Sequence, residues 1–337
     1  MKRRLLLIGF LGWGASLCAA ADFSISGLAG SYNNSTPLSF NISYTKPATT
    51  VEKRLVFFAE LHNANTNALI DKKIFDNSNN GYTGTTQNFA VSLNTPPSGI
   101  EPVNVQLYAV PWSLNKKVVE HYKTYPTDGT FTYLWGGGGY GVTQNIYYKG
   151  SLIAPKPSGN TTYCSGLAFD CAITAFNEYN TANGHTSIGT MTVSQMNSFR
   201  LVWYGVTDAE KLAALAIPQY NVGLEITDFE EAQEGDFVQL WRTGGSGHNP
   251  LFISWIRNSS SEIIGMRYWG SQGSTNGIGI RNEYFTEGGG TVMKSRTYLG
   301  RFRKPRDNSD YTWAISSQGT ASIPHANAST VTGWELY

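Results

Sequence analysis

The sequence predicts an α+β protein in which an all-β unit comes first and a unit of helices followed by an antiparallel sheet comes second. Three observations carry this. Short runs that alternate apolar and polar residues recur between residues 23 and 112, bounded by Asn, Gly, Thr and Pro, which is the pattern of half-buried strands. A densely apolar stretch at 166–179 reads as a helix buried on most sides. After residue 235, four strand-like runs are separated by turn-rich stretches, so helices precede strands instead of alternating with them. At 337 residues the chain is long enough for about two domains.

Residues 1–21 read as an export signal: Lys2, Arg3 and Arg4 open it, an apolar stretch follows, and Ala19, Ala20 and Ala21 fit a cleavage site before Asp22. A lipid anchor at Cys18 is the competing reading, but Leu17 is bulky where a small residue is expected. The mature chain is therefore expected in a periplasm or outside the cell. Its formal charge of +1 falls to −2 without the three basic leader residues, which makes nucleic acid a poor partner. No later segment approaches the ~20 apolar residues that span a bilayer.

Residues 22–112 are expected to form a β-sandwich. Alternation is clearest at 38–44 and 103–109, with further runs at 54–61 and 89–93. His62 is read as a surface or turn residue, and the unit as an accessory module that binds glycan or packs on its neighbour. Residues 113–146 read as a connector rich in Gly, Tyr and Thr. Its Trp135-Gly136-Gly-Gly-Gly139-Tyr140 stretch lacks the Lys-Ser/Thr of a phosphate loop.

The second unit is expected at 147–305. After the helix at 166–179, helices are expected at 192–204 and 208–216, the latter capped by Thr207 and ended by Pro218. Strands are expected at 236–241, 251–256, 263–269 and 298–303, and 306–337 reads as a polar tail.

Cysteine usage points to chemistry. Removal of the leader leaves Cys164 and Cys171. On a helix, seven residues of rise separate them by ~10 Å, beyond the ~7 Å reach of a disulfide. Cys171 then reads as a buried apolar side chain. Cys164 stands at the start of the helix, where the backbone dipole and unpaired N–H groups favour a thiolate and can meet an oxyanion. His248 is the best candidate base because a Gly244-Gly245-Ser246-Gly247 turn leads it into an apolar strand. His121, His185 and His325 lie in the connector, a polar loop and the tail. Asp236, in Gly-Asp-Phe-Val, reads as a turn residue at a strand start. With no His-x-x-x-His and no Cys-x-x-Cys, neither a metal nor another cofactor is expected.

Thr162-Tyr163-Cys164-Ser165-Gly166 before a buried helix, then Glu234-Gly235-Asp236-Phe237-Val238 and Gly247-His248 leading successive strands, resembles the NlpC/CHAP group of papain-like cell-wall cysteine peptidases and amidases. The likeness covers roughly 145–305. It implies a papain-like domain in which Cys164 attacks an amide or peptide bond, commonly in peptidoglycan, through a thioester, with His248 on a core strand as base. Two positions depart from the pattern: Tyr163 replaces a common Asp, and Asn249-Pro250 follows the histidine. The imidazole-orienting residue is sought in 268–276, with Gln272 first and Ser271 and Asn276 behind it; turn chemistry is the plainer role for all three. Tyr163 is a candidate to line the substrate cleft. Two other readings are open: an acyltransferase or transglutaminase-like enzyme using the same dyad, and a noncatalytic envelope protein that binds glycan. The expected partner is peptidoglycan or another envelope peptide or glycan.

Overall fold

The computed structural model describes residues 22–45, 54–76, 86–136, 139–184, 186, 188, 191–304 and 319–323. The expected leader, His185 and His325 lie outside them. Antiparallel sheets and helices give an α+β fold in two compact units, one reaching to Pro111 and resuming at Ile315, the other spanning Trp112–Ala314.

In the first unit, β1 (Asp22–Ser26), β2 (Leu38–Thr45) and β5 (Thr86–Leu93) form one sheet, in the order β1-β2-β5. The other sheet holds β3 (Leu55–Asn63), β4 (Leu69–Asp76) and β6 (Val103–Pro111), with β3 between β4 and β6. Alternation decides which face is buried. Leu38, Phe40, Ile42 and Tyr44 of β2 face Phe57, Ala59 and Leu61 of β3 in one core, while Ser39 and Asn41 are exposed. Phe57 links the layers, 4.9 Å from the Tyr44 ring and 4.8 Å from that of Phe89. Each such ring contributes about 1.5–3 kcal/mol through burial.

The expected tail is not wholly a tail. Gly319–Ile323 is a strand that pairs antiparallel with β6, from Gly319 opposite Leu107 to Ile323 opposite Val103. It satisfies backbone groups that β6 would otherwise present as an open edge. The short polar run carries too little periodicity to announce this.

The expected connector belongs to the second unit. There α1 (Asn115–Tyr122) contributes Val118 and Tyr122 to the core, and Leu114, Tyr125 and Val142 join them. Next come β7 (Thr132–Tyr133), the hairpin β8 (Ile146–Tyr148) and β9 (Ser151–Ala154), and β10 (Thr161–Thr162), which lies parallel to β7. The helices are α2 (Cys164–Asn183), α3 (Val193–Trp203) and α4 (Ala213–Gln219).

Helix α3 starts at a capping box: the Gln195 N–H donates to the Thr192 hydroxyl, and the Thr192 N–H donates to the Gln195 side-chain oxygen. Helix α4 begins later than the sequence suggests, because the Asp208 carboxylate accepts from the Glu210 N–H and holds a turn, and Leu212 takes φ 45°. Pro218 lies inside its last turn instead of ending it beforehand.

The large sheet comprises β11 (Gly223–Ile226), β12 (Phe237–Arg242), β13 (Gly247–His248), β14 (Leu251–Arg257), β15 (Ile263–Gln272), β16 (Gly277–Tyr284) and β17 (Val292–Phe302). Its order is β11-β17-β12-β14-β15-β16, with β13 also on β12. One face packs on the helices through Phe237, Leu251, Trp269 and Phe302; the other forms a second core with Val238, Leu240, Met266 and Leu299. Strand β16, which the glycine-rich sequence conceals as loop, pairs with β15 along its length. Asp236 and Arg301 join the starts of β12 and the end of β17 as a fully buried ion pair at 2.7 Å, and the Asn115 amide donates to the same carboxylate at 2.7 Å.

Candidate active site

Tyr163, in extended conformation, caps α2, so Cys164 occupies its first turn. Gly166 lets the chain around Tyr140 and Gly141 lie against this end, since a Cβ there would overlap the Tyr140 carbonyl. The Trp203 indole donates to the Ser165 carbonyl at 3.0 Å and fixes the helix start from the other side.

The backbone N–H groups of Asn249, Ser165 and Cys164 lie near the Cys164 sulfur and favour its thiolate. Burial opposes them more strongly, and the thiol sits above the ordinary thiol range. Cys164 is 8% exposed. Helix position alone favours a thiolate; here desolvation outweighs the backbone donors and favours the thiol. Cys171 lies about two turns further along the same helix, buried and free, and both cysteines are unpaired by disulfide.

The influence of the Asn249 N–H on the sulfur brings in the residue that follows His248. His248 ends β13 opposite Leu240 of β12. Burial is the main cause that pushes its imidazole down to about 3, and the Arg242 guanidinium adds to the fall; Glu283 and a hydrogen-bonding contact with Gln272 act the other way. At neutral pH this imidazole is uncharged and able to take a proton.

Gln272 ends β15. Tyr268, Gly270 and Gln272 alternate onto one face of that strand. A Cβ on Gly270 would lie 3.3 Å from Gln272 Oε1 and 3.4 Å from His248 Nε2, so glycine there keeps open the space where these atoms approach. Neither atom has another hydrogen-bond partner among the described residues. They do not form a hydrogen bond in this structure, but the two are complementary as acceptor and N–H donor.

Ser271 and Asn276 have other work. Buried Ser271 shares a 2.8 Å hydrogen bond with Thr162, tying the chain just before Cys164 to the strand that carries Gln272. Asn276, at φ 48°, closes the short turn after β15. Tyr163 does lie beside Cys164: its hydroxyl donates to the Gly139 carbonyl at 3.2 Å, and its ring meets exposed Trp135 edge-on at 5.2 Å. His121 bonds Glu178 at 3.0 Å and contacts Tyr125, and His62 pairs with Glu60 at 2.9 Å.

Several contributors are absent from the sequence reading. The Tyr268 ring packs 5.1 Å from the imidazole, and its hydroxyl donates to Glu283, which Arg242 grips with two bonds at 2.8 and 2.7 Å. Period-two spacing from Gln272 back to Tyr268 could have found the first; Glu283 required recognising β16. Asn249 is also buried, and neither polar atom of its amide has a partner among the described residues. Unpaired buried polar atoms thus concentrate around His248, which is a recurrent mark of a functional site.

Among the described residues, no group of three or more His, Cys, Asp or Glu could hold a metal ion, and no helix is long and apolar enough to cross a membrane. No protein-family model matches the chain, and no curated protein matches it.

Proposed function

We propose that this protein is an exported cysteine hydrolase that cleaves an amide or peptide bond, with peptidoglycan peptide as the leading substrate, through a papain-like Cys-His-Gln arrangement. The observation that carries the reading is convergence: the N–H of Asn249, next to His248, lies near the Cys164 sulfur and favours its thiolate, while His248 Nε2 and Gln272 Oε1 both border the space beside Gly270. In this reading Gln272 takes the Nε2 side of the imidazole, which leaves Nδ1 for the thiol proton.

The chemistry follows from a neutral resting pair. His248 takes the Cys164 proton as sulfur attacks the carbonyl carbon, and the backbone N–H groups at the start of α2 are placed to receive the developing oxyanion. The S–C bond forms, the C–N bond breaks, and the imidazolium returns its proton to the leaving amine. Water then attacks the thioester, with His248 again as base, and restores the thiol. Gln272 holds the imidazole and stabilises its charged form. Export and the substrate rest on the leader and the family likeness.

A second reading has an observation in its favour. Cys164, His248 and Gln272 are all buried, and a water-poor site suits transfer of the acyl group to an amine. The test is release of amino groups from purified peptidoglycan by wild type, Cys164→Ala and His248→Ala. Wild-type cleavage that falls by at least about 10²-fold in both variants supports the dyad; cleavage unchanged in Cys164→Ala overturns it. Added amine that captures the acyl group in preference to water would select transfer.

A further inference from the structure

The charges behind His248 do not balance locally. Glu283 and Arg242 are both largely buried, at 8% and 19% side-chain exposure, and form a bidentate pair. The Tyr268 hydroxyl donates to Glu283 Oε2 at 2.9 Å, so both carboxylate oxygens are occupied. A second guanidinium, Arg281, reaches the same carboxylate only at 3.5 Å and is 38% exposed. Two cations therefore share one anion, and the more exposed cation holds the weaker contact.

Arg281 is held in place. Its Nη1 donates to Ser274 Oγ at 2.8 Å, in the turn that directly follows Gln272. It stands opposite Tyr268 in the β15–β16 register, so it shares a sheet face with the ring that packs on His248. The charge of Arg281 acts on the imidazole, as does that of Arg242. A guanidinium that is anchored, partly exposed and incompletely neutralised is suited to a planar anion.

Resting on the cysteine-hydrolase reading, we propose that Arg281 reads a carboxylate on the amine half of the scissile amide. The preferred substrate then releases an amino acid or an acidic peptide, in place of a neutral amine. The amine half is assigned because Arg281 lies on the His248 side, and His248 protonates the leaving nitrogen. Docking such a group would also neutralise the surplus positive charge beside an imidazole that must become charged.

The test uses two electrophiles that differ only in charge, N-chloroacetylglycine and N-chloroacetylglycinamide. In each, the Cys164 sulfur displaces chloride and forms an S–CH2 bond. Second-order rates of Cys164 alkylation are measured by peptide mass mapping at alkaline pH on the full chain, and the charged-to-neutral ratio is normalised to that of glutathione.

The wild type is expected to favour the charged reagent by about threefold to fivefold, the worth of one partly exposed ion pair. Arg281→Gln should return the ratio to parity, Arg281→Lys should retain most of it, and added salt should lower it. A wild-type ratio at parity, or a preference that survives in Arg281→Gln, overturns the assignment and leaves the hydrolase reading standing. If neither reagent labels Cys164 in the folded chain while both label it after unfolding, the hydrolase reading falls and this proposal with it.

Discussion

At Cys164 and His248, burial reverses what helix position alone would give. The thiol is raised by desolvation despite three backbone donors, and the imidazole is lowered to about 3 by desolvation and Arg242. A thiolate needs pH above the raised thiol value; an imidazolium needs pH below about 3. Burial of both groups therefore favours a neutral pair at rest. The rate of Cys164 alkylation by iodoacetamide is accordingly expected to rise once, on the alkaline side of the ordinary thiol range, without a plateau between pH 4 and 8. A mass-mapped pH profile checks this; a plateau at acid pH would reveal a preformed ion pair. Cys164 and His248 were legible in the sequence because helix starts and glycine turns leave local marks. The burial that sets their protonation was not, since it depends on elements distant in sequence, as where Tyr268 of β15 packs on His248.

The strand β15 does most to assemble the site, by presenting Tyr268, Gly270 and Gln272 on one face and Ser271 on the other. Gly270 has φ outside the left-handed region, so its requirement is space and not backbone freedom. In Gly270→Ala, the added methyl would sit 3.3–3.4 Å from Gln272 Oε1, His248 Nε2 and the Pro250 side chain. These neighbours must each give by a few tenths of an ångström, separating amide from imidazole. Overpacking of this kind costs about 1–3 kcal/mol of stability, and kcat on a peptide substrate is expected to fall by about 10-fold or more with KM little changed. Steady-state kinetics on Gly270→Ala and Gln272→Ala provide the check: kcat equal to wild type in both would remove Gln272 from the reaction. Strand β15 itself could be read from its apolar run, but its partner β16 could not. The sequence of β16 opens Gly277-Ile-Gly279, and pairing to an existing strand, not intrinsic propensity, holds it extended. Without β16, nothing placed Glu283 and Arg281 near His248.

Across the described residues, the first unit runs to Pro111, the second follows, and the strand Gly319–Ile323 rejoins the first. This topology makes the C-terminal strand structural for a unit whose other strands all lie before residue 112. Its five residues pair with Leu107 through Val103, and each net backbone hydrogen bond is worth about 0.5–1.5 kcal/mol. Deleting residues 315–337 should therefore expose the β6 edge and lower the stability of the first unit by a few kcal/mol. The Cys164 site draws on α2, β13 and β15, all within Trp112–Ala314. Hydrogen exchange resolved by mass spectrometry should show lost protection in β3 and β6 of the truncated chain, with α2 and β12 protected as before. Equal loss in both sets of elements would mean that the two units unfold as one cooperative body. Unchanged protection in β3 and β6 would mean that the returning strand contributes little to the sheet it extends. The expected asymmetry follows from continuity: the helices and large sheet are contiguous in sequence, whereas the first unit is closed by a segment more than 200 residues after its last preceding strand.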